Sequence, residues 1–384
     1  MSWPIRHIGE FVDLGVASIQ TGPFGTQLKA SDYVEEGTPV INVRNIGYST
    51  LRPEKLEFVG ADITERLNSH LLRKNDIVFG RKGAVDRHLL VTEDHEAWMQ
   101  GSDCIRLRFE AEAVVPRFIS YAFLRPEHQQ WMLGQCGNKA TMASLNQEII
   151  SRIPLTLPPN TVQKEIVKLL SSYDDLIENN RRRMALLEDS ARLLYQEWFI
   201  QLRFPGHEHV CIIDGLPEGW ERKTLGEHIT LHYGKALKTD QRIDGEYPVY
   251  GSSGIVGSHE KPLVAGPAII LGRKGNVGSV FWSKKAFHPI DTVYFVAPEQ
   301  SSLYLYQALK HMHFISTDVA VPGLNRDFAY SRTLLLPPSR ILKAFLDSVD
   351  PIYEQMARLD EINQKLRTAR DLLLPRLMSG EISV

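Results

Sequence analysis

The sequence predicts an α+β protein in which two globular domains alternate with two long helices. Three observations indicate this fold. The same motifs occur twice in the same order, strand-like β-branched segments dominate inside each copy, and each copy ends in a segment with helical periodicity. A chain of 384 residues also exceeds what a single hydrophobic core normally supports. We therefore expect two domains of similar construction.

The repeat is visible as three pairs of matching segments. In chain order they are WPIRHIG (3–9) with WERKTLG (220–226), NDIVFGRKGAV (75–85) with GPAIILGRKGNV (266–277), and SLNQEIISRIPLTLPP (144–159) with GLNRDFAYSRTLLLPP (323–338). The displacement between copies falls from 217 residues at the first pair to 192 at GRKG and 179 at the last pair. The second copy is therefore expected to have shorter loops.

A long helix is predicted after each Pro-Pro pair, because proline is common at helix starts and the apolar residues then alternate at spacings of four and three. The expected seam residues are Ile166, Leu170, Tyr173, Ile177, Asn180, Met184, Leu187, Ala191, Leu194 and Trp198, then, 179 positions further, Phe345, Val349, Ile352, Met356, Leu359, Asn363, Leu366, Arg370, Leu373 and Leu377. Two ordinary amphipathic helices on separate domains are the alternative. The shared register favours a coiled coil between the two helices, with Asn180 and Asn363 fixing the register.

The expected boundaries follow from these segments. They are a first domain over 1–160, a central helix over 161–200, a linker over 201–217, a second domain over 218–338 and a C-terminal helix over 339–384. Strands are predicted at 38–47, 76–83, 104–109, 268–275 and 292–298, and helices at 116–134 and 301–315. Asp350 and Pro351 resemble an N-cap and a first helical residue, which predicts a short turn before the main part of the last helix.

Composition excludes several classes of protein. Apolar residues make up 43% and charged residues 23% of the chain, which is ordinary for a globular protein and excludes wholesale disorder. A net charge of −2 means that attraction to nucleic acid would have to come from local patches. Three widely separated cysteines and the lack of an apolar leader or spanning segment predict a cytoplasmic protein without disulfides.

Catalytic motifs are missing from the sequence. The glycine-rich segments at 251–258 and 272–279 do not have the spacing of a P-loop. LPPN (157–160) and LPPS (336–339) lack the acidic or amide residue and the aromatic residue that an amino-methyltransferase uses to hold a flipped base, so we interpret them as strand-to-helix junctions. The close histidine pairs 207/209 and 311/313 lack a third ligand at metal spacing. We predict no catalytic and no metal site.

The recurrent GRKG turns are the strongest candidates for ligand binding. Glycines on both sides of Arg81 and Lys82, and of Arg273 and Lys274, let the backbone approach a phosphate closely. Other side chains of types that contact phosphates or purine edges are Arg44, Asn45, Arg87, Lys139, Lys235, Lys238, Lys284, Lys285 and Arg326. Residues 1–159 contain 17 basic and 19 acidic side chains. DNA binding would therefore require that the charges be segregated onto one face.

The whole chain resembles the specificity (S) subunit of type I restriction-modification systems. The segments that carry the resemblance are TGPFGTQL (21–28), DIVFGRKG (76–83), IPLTLPPNTVQKEIVKLL with LLYQEWF (153–199), and LLLPRLMSGEI (372–382). One departure is SRILKAFLDSVDPI after the second Pro-Pro pair, where the family often has a glutamine, as at Gln163 in the first copy.

The resemblance implies two target-recognition domains and two helices that pair as an antiparallel coiled coil. Each domain would recognise one half of a split, asymmetric DNA site, and the helices would fix the distance between the halves. The chain itself would be non-catalytic and would bind no cofactor. Two methyltransferase (M) subunits would supply S-adenosylmethionine-dependent adenine methylation, and endonuclease/translocase (R) subunits would use ATP and Mg²⁺. We also expect Trp198, Phe199 and Leu374 to be covered by the M subunits.

Two other functions are compatible with parts of the sequence. A coiled-coil adaptor with two domains that bind peptide or carbohydrate would explain the duplication and the near-zero charge. It gives no reason for basic glycine turns at matching places in both copies. An orphan DNA methyltransferase would need a glycine-rich cofactor motif and an acidic Pro-Pro-aromatic loop, and the sequence has neither.

Overall fold

The computed structural model describes residues 3–110, 112, 114–136, 143–314 and 323–384. The chain divides into two compact units. The first contains Met1–Ile177 and Gln364–Val384, and the second contains Glu178–Asn363. Each unit therefore holds one copy of the repeat together with one end of each long helix.

The first unit is built on two four-stranded sheets and one short strand pair. Its strands are β1 (Ile5–His7), β2 (Ala17–Thr21), β3 (Tyr33–Val34), β4 (Thr38–Ile41), β5 (Glu57–Val59), β6 (Ile77–Gly80), β7 (His88–Leu90), β8 (Met99–Gln100), β9 (Cys104–Phe109) and β10 (Pro154–Thr156). One sheet is antiparallel in the order β2-β9-β6-β7. The other has the order β3-β5-β4-β8 with β8 parallel to β4, and β1 pairs with β10.

The second unit repeats this plan, with three strands instead of four in its second sheet. Its strands are β11 (Ile212–Ile213), β12 (Leu216–Pro217), β13 (Glu221–Thr224), β14 (Leu231–Tyr233), β15 (Tyr247–Gly251), β16 (Gly254–His259), β17 (Ala268–Gly272), β18 (Val280–Ser283), β19 (His288–Pro289), β20 (Val293–Val296) and β21 (Thr333–Leu336). The antiparallel sheet β14-β20-β17-β18 corresponds to β2-β9-β6-β7. The sheet β16-β15-β19 again contains one parallel pair, and β13 pairs with β21. The α+β fold and the duplication are therefore confirmed.

Helices cover one face of the strands and connect the copies. They are α1 (Ile8–Asp13), α2 (Ala61–Arg66), α3 (Pro116–Phe123), α4 (Pro126–Cys136), α5 (Gln147–Ser151), α6 (Asn160–Tyr195), α7 (Leu225–His228), α8 (Leu303–His311), α9 (Arg326–Tyr330) and α10 (Ser339–Met378). A π-helical turn, Gln196–Ile200, continues α6. The segment predicted as one helix over 116–134 is two helices, because Pro126 starts a new helix after Arg125.

Two further local predictions were wrong. The strand expected over 38–47 ends at Ile41, and residues Val43–Asn45 form a 3₁₀ turn. The last helix has no separate leading turn, because α10 runs without interruption through Pro351. Pro351 lies on the exposed side of α10, whereas Phe345 and Val349 are fully buried. Tertiary packing of the apolar face therefore outweighs the local cost of a proline inside a helix.

Each unit has its own main hydrophobic core, and the long helices contribute to both. In the first unit, Ile166 and Leu170 near the start of α6 pack with Leu374 and Leu377 near the end of α10. In the second unit, Ala191 and Tyr195 near the end of α6 pack with Phe345 and Val349 near the start of α10. Within each unit the helices therefore run antiparallel. Every predicted seam residue is buried or half-buried, which confirms the coiled-coil register.

The aromatic residues at the helix ends are already covered inside the chain. Trp198 and Phe199 belong to the core of the second unit, where their rings contact Phe345 at centroid distances of 5.8 and 4.9 Å. Leu374 belongs to the core of the first unit and is 5% exposed. The expectation that these residues are covered by partner subunits was therefore wrong, since an intramolecular core buries them.

Asn180 and Asn363 form the predicted polar contact of the seam. Asn180 Nδ2 donates to Asn363 Oδ1 at 2.9 Å, and both side chains are buried. Replacing Asn180 alone with leucine should leave the Asn363 amide buried without this partner and cost about 1–3 kcal/mol of unfolding free energy. The double variant Asn180→Leu/Asn363→Leu should recover most of that loss. Urea unfolding of the full chain, monitored by the helical circular dichroism signal, measures both effects. A double variant as unstable as the single one would contradict this explanation of the Asn180–Asn363 contact.

Candidate nucleic-acid interface

The two GRKG turns occupy equivalent edges of equivalent sheets. In the second unit Tyr294 of β20 pairs with Tyr233 of β14 on one side and with Leu271 of β17 on the other. The ends of β14 and β17 and the start of β20 therefore lie at the same edge of the sheet. In the first unit Ile105 of β9 lies in the same way between Thr21 of β2 and Phe79 of β6. The turn that follows β6 or β17 therefore projects from the same edge in each copy.

The backbone of each turn is held by the same pair of hydrogen bonds. The Arg81 N–H donates to Asp103 O at 2.8 Å, and the Leu145 N–H donates to Arg81 O at 2.8 Å. The corresponding bonds in the second unit join Arg273 N to Thr292 O at 2.9 Å and Leu324 N to Arg273 O at 2.8 Å. The last residue of each GRKG turn, Gly83 or Gly275, has a φ of +76° or +80°. Glycine is required there because other residues rarely adopt this conformation.

Close backbone packing shapes the loop beside each turn. Gly22 follows β2, and a Cβ atom at this position would lie 1.9 Å from Gly101 O. Gly234 follows β14 in the other copy, and a Cβ there would lie 2.0 Å from Ile290 O. Both contacts are far below van der Waals distance, so only glycine allows the loop to leave the sheet at this angle. This contact explains the first glycine of the TGPFGTQL motif, Gly22.

In the second unit two arginines lie over the ring of an exposed tyrosine. We define the second basic edge as Tyr233, Lys235, Arg273, Lys274 and Arg326. The guanidinium carbons of Arg273 and Arg326 lie 4.9 and 5.3 Å from the centroid of the Tyr233 ring, which is within cation–π range. Tyr233 is 50% exposed. This edge therefore presents arginines held by stacking next to an accessible aromatic ring.

The ring that supports Tyr233 is Tyr294. Their centroids are 5.0 Å apart, and Arg273 also lies over the Tyr294 ring at 5.6 Å. Arg273 Nη1 donates to Asp291 O at 3.2 Å. Burial, reinforced by the neighbouring Tyr233 hydroxyl, raises the pKa of Tyr294. Tyr294 is thus a neutral phenol that does not offset the positive charge of this edge.

In the first unit the corresponding edge is more polar and less positive. We define the first basic edge as Thr21, Arg81, Lys82, Arg87 and Gln147. Gln147 Nε2 donates to Thr21 Oγ1 at 3.0 Å. Lys82 Nζ lies 3.7 Å from Asp103 Oδ1, and both side chains are half exposed, so water screens this pair strongly.

Arg87 occupies the far end of the same β6–β7 loop. Its guanidinium carbon lies 5.4 Å from the Tyr48 ring centroid, and the Tyr48 hydroxyl donates to Asp86 Oδ2 at 2.5 Å. That hydrogen bond raises the pKa of Tyr48. Arg87 is therefore partly immobilised on an aromatic ring, as Arg273 and Arg326 are in the other copy.

The remaining predicted residues are only partly at these edges. The Val43–Asn45 turn lies next to the GRKG turn, since Val43 Cγ1 would be 3.2 Å from a Cβ at Gly80. Arg44 is exposed there but paired with Glu57 at 3.1 Å. Asn45 is fully buried. Its Nδ2 donates to two backbone oxygens and its Oδ1 accepts from a backbone N–H, so Asn45 offers DNA no free group and we omit it from the proposed surface.

Three of the predicted lysines are exposed in the second unit away from the centre of its edge. Lys238 is on the loop after β14. Lys284 and Lys285 follow Ser283, which pairs with Ala268 at the opposite end of β17 from Arg273. Five residues of strand separate the two ends, about 16 Å. We therefore exclude Lys284 and Lys285 from the second basic edge. Lys139 lies outside the described residues.

Three residues at the edges were missed by sequence reasoning. Thr21 and Tyr233 are the last residues of equivalent strands, and Gln147 is the first residue of α5. The aligned pair LNQ and LNR was a usable signal, because it matches Gln147 with Arg326. The contacts of Gln147 with Thr21 and of Arg326 with Tyr233 could not be predicted, since they depend on strand register across the sheet.

The other sequence motifs have structural explanations. The Pro-Pro segments connect β10 to α6 and β21 to α10, as predicted. Among the described residues, no helix is both long and apolar enough for a membrane span. The same part of the chain contains no group of three or more His, Cys, Asp or Glu residues suited to hold a metal ion.

Comparison with known proteins identifies the family. The model of the type I restriction modification DNA specificity domain matches residues 3–189 and again 217–367. The MjaIX specificity subunit of Methanocaldococcus jannaschii is 24% identical over 305 residues, covering 71% of this chain and 70% of that protein. The HindI specificity subunit of Haemophilus influenzae is 20% identical over 401 residues, covering 81% and 87%.

A solved structure shares the fold. The S subunit of the type I restriction-modification system from M. genitalium superposes with a TM-score of 0.56 at 17% identity, covering 98% of this chain and 96% of that one. Two matches of the family model over the two copies account for most of the sequence. The chain therefore belongs to the type I restriction-modification DNA specificity family and contains the specificity domain twice.

Proposed function

We propose that the chain is the DNA specificity subunit of a type I restriction-modification complex. Each globular copy binds one half of a bipartite DNA site through its basic edge. The observation that carries the proposal is the recurrence of the GRKG turn, with the same backbone hydrogen bonds, at the same sheet edge of two specificity domains. Arginine and lysine on glycine-flanked turns suit a phosphate backbone in both charge and access.

The two half-sites differ in this proposal because the two edges differ. The first edge presents a Thr21–Gln147 hydrogen bond, whereas the second presents two arginines around Tyr233. A symmetric dimer of identical domains would bind a palindrome. A duplicated chain with different edges binds an asymmetric sequence, and the paired helices α6 and α10 act as the spacer between its halves.

Catalysis is assigned to partner subunits. Methyltransferase subunits with bound S-adenosylmethionine methylate the DNA, and endonuclease/translocase subunits use ATP and Mg²⁺ for restriction. These partners dock on the helical spacer, and the complex acts in the cytoplasm. The names of the related proteins, which are specificity subunits of type I restriction enzymes, support this division of labour.

Modified-base sequencing tests the proposal directly. DNA from cells that carry the chain with its methyltransferase partner is compared with DNA from cells that lack only the chain. We expect a chain-dependent methylated motif of two unlike halves with a fixed gap. Replacing residues 3–159 with the matching domain of a relative should change one half of the motif and leave the other half and the gap unchanged.

Two results would overturn the proposal. The first is the absence of any chain-dependent motif although the partner methyltransferase is present and active, which would favour an adaptor with non-DNA ligands. The second is a domain replacement that changes both halves, which would contradict the modular reading of the site by separate domains.

A further inference from the structure

The two basic edges are built alike and differ at one matched pair of side chains. Leu145-Asn146-Gln147 and Leu324-Asn325-Arg326 are aligned segments. Both leucines are buried, and each donates its N–H to the arginine carbonyl of its GRKG turn at 2.8 Å. Both asparagines cap the short helix that follows, with Oδ1 accepting from a backbone N–H at 2.8 or 2.7 Å. The third residue is therefore placed equivalently in both copies.

The partner of that third residue is also at an equivalent place. Gln147 contacts Thr21, and Arg326 contacts Tyr233. Thr21 and Tyr233 are the last residues of β2 and β14 and occupy the same register against the central strand of their sheets. One copy thus has a threonine–glutamine pair at the position where the other has a tyrosine–arginine pair, beside a GRKG turn that both copies share.

If the two half-sites differ in sequence, residues that both copies share and residues that differ between the copies must contact different parts of the DNA. The phosphate backbone is the same in every sequence, so the shared GRKG turn suits it. Base edges differ between half-sites, so the discriminating contacts must come from positions that differ between the copies. The matched pair is such a position, and its two outer members, Gln147 and Arg326, are exposed.

The geometry of the first pair suits an adenine. The Gln147 Nε2 group has two hydrogens, and Thr21 Oγ1 accepts one of them at 3.0 Å. This bond holds the amide nitrogen of the exposed Gln147 side chain and leaves its second N–H and the Oε1 acceptor available for a ligand. A donor next to an acceptor matches N7 and the N6 amino group of adenine in the major groove.

The geometry of the second pair suits a guanine. The Arg326 guanidinium contacts two rings, with its carbon 5.3 Å from the Tyr233 centroid and 5.9 Å from the Tyr330 centroid. Stacking on ring faces orients the planar group without using its N–H donors. Two parallel donors on a fixed plane match O6 and N7 of guanine, which are both acceptors.

From this we infer that Thr21–Gln147 and Tyr233–Arg326 are matched base-reading pairs, in which Gln147 selects an adenine in one half-site and Arg326 a guanine in the other. This inference rests on the proposed function. Gln147 and Arg326 are the base-contacting residues, and Thr21 and Tyr233 are positioning residues that act through them.

Exchange of the pairs between copies provides the test. The variant Tyr233→Thr/Arg326→Gln gives the second copy the pair of the first, and Thr21→Tyr/Gln147→Arg does the reverse. Each variant is purified as its complex with the methyltransferase subunits. It is then used to select duplexes from libraries randomised over one half-site at a time. Lys284→Gln is the control for loss of a positive charge in the second copy, because Lys284 lies at the other end of β17.

We expect each exchange to alter the preferred base at one position of one half-site. A guanine preference of about 10- to 100-fold should become an adenine preference in the second copy, and the reverse should occur in the first. The base preferences in the other half-site, which the unaltered copy reads, should not change. Their persistence shows that the complex is intact. The control should keep both halves unchanged.

Conservative variants cover the case in which an exchanged complex does not assemble. Arg326→Lys keeps the charge but not the planar fork, so discrimination at the guanine should fall about tenfold or more. Thr21→Val removes the acceptor that orients Gln147 and should weaken discrimination at the adenine. Unchanged preferences in the exchanges, or in these variants, would refute the inference while the bipartite motif of the unaltered chain still stood. Failure of the unaltered complex to select any bipartite site would instead refute the proposed function.

Discussion

Replacing Asp76 with alanine is expected to lower the unfolding free energy of the first unit by about 3–5 kcal/mol. Asp76 immediately precedes β6, the strand that leads into the GRKG turn, and is 1% exposed. Its two carboxylate oxygens accept from Arg108 Nε at 2.6 Å and Nη2 at 2.7 Å. Oδ2 also accepts from the Arg73 N–H at 2.8 Å. The substitution would leave the Arg108 guanidinium, only 13% exposed, without its counter-charge.

Hydrogen exchange with mass spectrometry measures this effect on the full chain, because it reports on β6 and β9 separately from the second unit. The exposed pair Lys74–Glu93 supplies the control. Glu93→Ala should leave protection of β6 and β9 unchanged, because exposed ion pairs contribute little. The double variant Asp76→Leu/Arg108→Met should regain much of the loss, since it removes both members of the buried ion pair. Equal protection in Asp76→Ala and Glu93→Ala would refute the account.

Replacing Arg81 and Arg273 together with alanine is expected to weaken DNA binding by the complex by about 10²- to 10⁴-fold. Each arginine is placed on a phosphate in the proposed function, and one charged contact contributes about 1.5–3 kcal/mol. Because phosphate contacts are independent of sequence, affinity should fall for specific and non-specific duplexes alike. The slope of log affinity against log salt should decrease by about one for each arginine.

Titration of labelled duplexes at several salt concentrations measures both quantities. Lys284→Ala/Lys285→Ala is the matched control, because it removes the same number of positive charges from the end of β17 opposite the GRKG turn. The control should leave affinity and salt slope close to those of the unaltered complex. Equal losses in the control and in the arginine variant would indicate a general charge effect and contradict the assignment of the two turns.

Periodic and repeated patterns were predictable because they depend on neighbours along the chain. The 4-3 spacing identified the seam, and its prediction for Asn180 and Asn363 is confirmed by their hydrogen bond. The two GRKG turns were recognised from repetition alone. Helix and strand boundaries were less accurate, as Pro351 shows, because a local helix-start signal can be overruled by the packing of an apolar face.

Side-chain contacts that depend on the tertiary fold could not be predicted from patterns. The sequence placed Asn45 among the binding candidates, yet the fold buries it and uses all of its amide hydrogen bonds. Trp198 was predicted to be covered by a partner subunit, but it belongs to the internal core of the second unit. The partners of Asn45 lie within nine residues of it, in a loop that no periodic pattern describes, whereas those of Trp198 include Phe345 from a distant segment.

The sequence by itself determined that the chain has two similar α+β copies, two long helices with a common register, and one basic glycine turn in each copy. Only the tertiary structure decided which side chains join each turn. Strand register aligns Thr21 with Phe79 and Tyr233 with Leu271 across their sheets, which brings Gln147 and Arg326 to matching places and sends Lys284 and Lys285 to the opposite end of a strand. The physical reason is that a periodic pattern is set by the backbone geometry of one segment, whereas a binding surface is set by hydrogen bonds between segments that the chain brings together only on folding.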